Sequence, residues 1–175
     1  MRAALPALAI LSGLLAACDV DPRPDDDLGA ARAPQIVRLA PVEEALVNAQ
    51  IPTLDPGTLN DARIREVIGA GPRCEFRYTQ AGRPVLAFGA PPEGGSLGGV
   101  VQVNGHLVRL DAQPAAPSGL LLLTAGPVRL TVSPDGGAGN VAAGNVTRRE
   151  ADLVFEVGEE LRVGYRGYLS CGAAR

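Results

Sequence analysis

The chain has 175 residues, 46% of them hydrophobic, and carries 16 Arg against 19 Asp plus Glu for a formal net charge of −3. That apolar fraction suits one globular domain, and the negative balance excludes the basic footprint of a nucleic-acid binder. Every basic residue is Arg and there is a single His, which excludes a phosphate-loop or Schiff-base lysine and a multi-histidine metal site.

In chain order, Met1-Arg2 gives a short positive start, followed by fourteen apolar or small residues over 3–16. The run is shorter than the roughly twenty residues that cross a bilayer core and reads as the apolar region of a signal peptide. Leu15-Ala16-Ala17-Cys18 resembles the lipobox of bacterial lipoproteins. The resemblance implies that residues 1–17 are a lipoprotein signal peptide cut before Cys18. It also implies that Cys18 takes a diacylglycerol and that its new amino terminus is acylated, palmitate being a typical chain. Several acyl chains, at about 0.8 kcal/mol per buried CH₂, make a durable membrane anchor facing the periplasm. An ordinary signal peptide with an incidental cysteine is the alternative reading. Asp19 resembles an inner-membrane retention signal, and the choice between inner and outer membrane stays open.

Residues 18–50 read as the lipidated cysteine and an acidic, Pro-rich tether. From Asp19 to Gln50 there are seven acidic residues against three Arg, with Pro22, Pro24, Pro34, Pro41 and the run Asp25-Asp26-Asp27. Such a composition favours an extended chain. Residues 42–47, after Pro41, have the composition of one short helix. A β-domain is expected over 51–175, where twelve Arg balance twelve acids.

That domain opens with a helix over 58–68, with Thr58 at the N-cap, Asp61 at N3, and Gly69, Gly71 and Pro72 ending it. The period then changes to two. Strands are expected at 74–79 and 84–88, and across 100–110 around Asn104-Gly105, a strong hairpin signal. That turn pairs Val103 with His106 and Val101 with Val108. Residues 120–123 and 128–132 can pair around Ala125-Gly126, which aligns Leu121, Leu123, Val128 and Leu130. For the last hairpin, a three-residue loop Gly158-Glu159-Glu160 pairs Val157 with Leu161 and Phe155 with Val163, keeping one face apolar. Residues 134–145 read as a long loop. The fold class is therefore mainly β, a small antiparallel barrel or sandwich of about eight strands with one short N-terminal helix.

With Cys18 assigned to lipid, Cys74 and Cys171 remain as an even pair, both on the apolar phase of their strands. A bridge between them would bring the first and last strands together. Two buried free thiols are the alternative, and neither cysteine has a metal-ligand neighbour at suitable spacing.

Catalytic signals are sparse, and no cofactor motif is present. His106 beside its hairpin turn could serve as a general base, but no nucleophile can be tied to it, and a structural role is the simpler reading. Ser118-Gly119 and Gly95-Ser96-Leu97-Gly98 form no nucleophile elbow, residues 94–99 read as a flexible loop with an anion nest as the alternative, and the acidic residues 150–160 follow no calcium-loop spacing. The outward phase of the last strand holds Arg162, Arg166 and Tyr168, a stripe able to grip a carboxylate or phosphate. Solvated arginines are the plainer account, since Arg is the only base available.

Ile51-Pro52-Thr53-Leu54 followed by Gly69-Ala70-Gly71-Pro72-Arg73-Cys74-Glu75-Phe76-Arg77-Tyr78-Thr79 resembles an uncharacterised bacterial lipoprotein family, a domain of unknown function. The resemblance covers most of the mature domain and implies an envelope location. A second resemblance is to periplasmic inhibitors of c-type lysozyme, which are lipid-anchored, disulfide-bearing β-barrels. Their inhibitory loop reads Ser-Gly-x-x-Tyr. Here Ser118-Gly119-Leu120-Leu121 is followed by Leu122, so the tyrosine is missing. The expectation is a non-enzymatic, lipid-anchored envelope module that binds or supports an envelope protein or cell-wall component. A cell-wall hydrolase inhibitor and an envelope hydrolase with an unrecognised site are the alternatives.

Overall fold

Side chains beyond Pro72 alternate with period two, which suits a pleated surface buried on one face. The computed structural model describes residues 37–89, 96–113, 119–136, 141–143 and 146–172. Among these it forms nine strands: β1 (Arg73–Arg77), β2 (Leu86–Gly89), β3 (Gly98–Val103), β4 (His106–Ala112), β5 (Leu121–Ala125), β6 (Val128–Pro134), β7 (Val141–Ala143), β8 (Val146–Val157) and β9 (Leu161–Gly172). All strand pairings are antiparallel. Each strand pairs with the next in sequence except at β7, a short ribbon on β8 that lies within the span read as loop; β6 pairs directly with β8. β1 pairs with both β2 and β9, so eight strands close into a barrel and the sandwich alternative is set aside. The signal peptide, Cys18, residues 19–36, 94–95 and Ser118 lie outside the described residues.

The turns explain the registers. Asn104 and Gly105 both have positive φ (46° and 82°), the requirement of a two-residue turn that follows the strand twist, and Val103 faces His106 as expected. Val157 faces Leu161 and Phe155 faces Val163 across residues 158–160, the expected three-residue loop. In the middle hairpin the turn is Gly126-Pro127, one residue later than expected. Ala125 faces Val128 there, and Leu121, Leu123, Val128 and Leu130 still share the inner face.

Inside the barrel, Phe76, Leu86, Val101, Leu110, Leu123, Leu130, Leu153 and Phe155 form one buried cluster. Side chains fill an eight-stranded barrel of this kind, and each large one contributes roughly 1.5–3 kcal/mol on burial. Cys74 and Cys171 are bonded across the β1–β9 seam with Cα atoms 4.0 Å apart.

Among the described residues, two α-helices accompany the strands. α1 (Val42–Ala45) falls where a short helix is expected, and α2 (Asp61–Ile68) is the leading helix. α2 starts later than expected: Asn60, not Thr58, is its N-cap and accepts a 2.9 Å bond from the Arg63 N–H. Ile64, Val67 and Ile68 seat α2 on the outward side chains Ala87, Val100 and Leu107.

Residues 37–50, read as part of the tether, pack on the β-domain. Val42 and Ala45 belong to its core. The β3–β4 hairpin leaves backbone groups open on both flanks, since β4 meets β5 at Asp111 and Ala112 alone among the described residues. The N-terminal segment meets them: Leu107 bonds Arg38 and Ala40, and Gly57 bonds Gln102. Asn104 at the hairpin tip donates to the carbonyls of Ala45 and Val47.

Candidate functional site

Three adjacent strands present their outward side chains as a small array on the barrel wall. β1 contributes Arg73, Glu75 and Arg77 at steps of two, because Cys74 and Phe76 take the inner phase. Glu75 faces Ser170 on β9, and Ser170 faces Arg148 on β8. On either side of that row lie Arg73–Gly172–Val146 and Arg77–Tyr168–Glu150. The first turn of α2 (Asn60, Asp61) forms one wall above this floor, and the β1–β2 loop at Gln80, Gly82 and Arg83 forms another. Between them is a cleft of about 740 Å³.

Arg73 is the fixed point of the floor. Its side chain is 8% exposed; Nε donates to Glu75 Oε1 at 2.8 Å and Nη2 pairs with Asp61. Burial works against its charge, but hydrogen bonds and attraction from Glu75 and Asp61 hold its pKa above the ordinary arginine value. Glu75, 14% exposed, uses its second oxygen on Arg77 Nη2, while Arg77 Nη1 donates to the Gly82 carbonyl at 2.9 Å. Arg73 Nη1 and Arg77 Nε are buried with no hydrogen-bond partner among the described residues. Across the floor, Arg148 Nε donates to Ser170 Oγ at 3.3 Å, and no acidic partner is recorded for Arg148 among the described residues. Among the described residues, four arginines (Arg73, Arg77, Arg83, Arg148) and two carboxylates (Asp61, Glu75) line the cleft, which gives it an excess of positive charge.

This arrangement suits holding an anion. Ser170 is the only hydroxyl among the described lining residues, and its neighbour Arg148 is a donor that cannot take its proton. Cys171 lines the cleft as half of the disulfide, so the bridge supports its floor.

The stripe read on the last strand lies elsewhere. Arg162 is 73% exposed and held by Glu156 at 2.7 Å; Arg166 is 69% exposed beside Glu150 and Asp135 at 3.4 and 3.5 Å. Neither they nor Tyr168 lines the cleft, and the concave, positively charged surface is instead built from arginines on β1 and β8. Alternation along one strand shows which side chains point outward, but the acids that neutralise them come from neighbouring strands. Ser170, the next outward position of the same stripe, does reach the cleft. His106 is half-buried opposite Val103, outside the cleft, with a buried Nδ1 that has no partner among the described residues. Arg73, Arg77 and Arg148 were not singled out by sequence reasoning; the signal for the first two is the Arg73-Glu75-Arg77 alternation against Cys74-Phe76-Tyr78.

A family model described as a domain of unknown function (DUF6692) matches residues 14–174. No curated protein and no solved structure matches the chain.

Proposed function

The chain belongs to the DUF6692 family, whose description assigns no activity, and we propose that it is a lipid-anchored binding module of the bacterial envelope. Cys18 carries the anchor, and the domain faces the periplasm. Its outer-wall cleft holds an acidic group of an envelope component. One observation carries the binding role: the barrel interior is packed with side chains, while the outer wall holds a positively charged cleft with two buried donors left open. Supporting the location, the Cys74–Cys171 bridge is of a kind that persists in oxidising compartments. The family match begins at residue 14, so it takes in the lipobox-like Leu15 to Cys18.

Two measurements on the full chain test this reading. Cell fractionation should find the wild type with membranes and Cys18→Ala in the soluble envelope fraction; a variant that stays with membranes removes the anchor. A photo-crosslinker at Arg83, on the exposed wall of the cleft, should give a discrete adduct that Arg148→Glu abolishes. An adduct indifferent to that charge reversal removes the cleft from the function.

A further inference from the structure

We infer that the cleft is a site for a phosphate-type dianion, either inorganic phosphate or the phosphate of a phosphomonoester, an inference that rests on the cleft being the binding surface proposed above. Arg73, which lines the cleft, is locked: its side chain is 8% exposed, with Nε and Nη2 held by Glu75 and Asp61, and its Nη1 is buried without a partner among the described residues. Arg77 repeats the pattern, with Nη1 and Nη2 engaged and Nε buried without a partner among the described residues. A buried charged donor left unmatched is costly, so the two positions call for acceptor atoms.

Donor geometry separates the candidate anions. A planar carboxylate is matched best by two parallel donors of one guanidinium. Here the open donors belong to different side chains on either side of Glu75, and Arg148 approaches from two strands away. Donors arriving from separate directions suit a tetrahedral group with three or more accepting oxygens. Ser170 Oγ accepts from Arg148 Nε, which leaves its own proton free to donate to a ligand oxygen.

Charge makes the same choice. Among the described residues, four lining arginines against two carboxylates leave an excess of two positive charges. A phosphomonoester carries about −1.5 to −2 at pH 7, whereas a carboxylate brings a single charge.

Calorimetric titration of the full mature chain in detergent micelles tests the inference, with inorganic phosphate, phenyl phosphate and acetate at constant ionic strength. Saturable binding of the phosphates is expected, with acetate weaker by about tenfold or more. Tighter binding of phenyl phosphate identifies a phosphomonoester as the ligand form, and equal binding identifies free phosphate. Arg148→Ala should weaken phosphate about tenfold at an unchanged unfolding midpoint, since Arg148 sits on the wall outside the core. No saturable phosphate binding, acetate binding as tightly as phosphate, or an unaffected Arg148→Ala variant would each overturn the assignment. A charge-sensitive crosslink at Arg83 that survives such a result would keep the binding module and discard only the phosphate.

Discussion

Tyr78 follows β1 with its ring 5.0 Å from that of Tyr165 and edge-on to Phe76 at 6.2 Å. The Tyr165 hydroxyl donates to Asp55 Oδ1, and the Tyr78 hydroxyl is buried beside it. Burial first, and then the Asp55 charge, push the Tyr78 pKa up to about 12; burial and the bond to Asp55 raise that of Tyr165 as well. A tyrosine is neutral while protonated, so between pH 10 and 12 the unfolded chain has released a proton that the folded chain still holds. Stability is therefore full below pH 10 and falls as pH rises toward 12, by about 2–3 kcal/mol for a shift of this size. In Tyr78→Phe the buried hydroxyl is gone. We expect the variant to stay within about 1 kcal/mol of the wild type at pH 7 and to lose markedly less between pH 10 and 12, with Tyr165 supplying the remaining slope. Urea midpoints measured at both pH values check this, and parallel losses in the two proteins would contradict it.

Among elements, β9 comes close to the end of β1 at Gly167. A Cβ there would lie 2.2 Å from the Arg77 carbonyl oxygen and 2.7 Å from the Phe76 ring. A backbone atom cannot swing aside, so Gly167→Ala should cost about 3 kcal/mol in a denaturant titration. Gly164 lies on the outward phase of the same strand with nothing within 4 Å of its Cβ position, so Gly164→Ala should be close to neutral. Equal midpoints for the two variants would refute the close approach. Elements with their own turn chemistry were legible in the sequence: Asn104-Gly105 and the loop 158–160 set two hairpins in register. The Leu120–Leu123 run, apolar at every position, offers no polar alternation to fix its phase, and there the turn falls one residue later than expected. Residues 37–50 read as tether because net negative charge and scattered prolines mark the stretch 19–50 as a whole. Their place in the fold depends on backbone groups left open at Gln102 and Leu107, a tertiary match that composition does not record.

At the scale of the whole molecule, closure of the barrel and assembly of the cleft are one event. The bridge places Cys74 opposite Cys171, which sets Glu75 opposite Ser170; the last hairpin, with Val157 opposite Leu161, sets Ser170 opposite Arg148. The hairpin register was legible in the sequence, the β1–β9 register comes from the closed barrel, and together they define the central row of the cleft floor. Read strand by strand, the sequence yields only the outward stripe with Arg162 and Arg166, because a site spread over three strands emerges only when their registers are combined. α2 and the β1–β2 loop, which wall the cleft, leave no such register signal. The same geometry makes the disulfide the joint on which floor and barrel depend. It spans 97 residues, and in the chain-entropy account a loop of that length contributes about 4–5 kcal/mol. Replacing both cysteines by Ala should lower stability by about that amount in urea. The β-sheet signal should persist, since β1 and β9 keep five register pairs and the packed interior is unchanged. Hydrogen exchange should then quicken at β1 and the facing end of β9 while β3 and β4, joined by their own turn, hold their protection. If exchange quickened uniformly, or if the midpoint did not move, the seam would not be the joint, and the cleft floor would owe its shape to the hairpins alone.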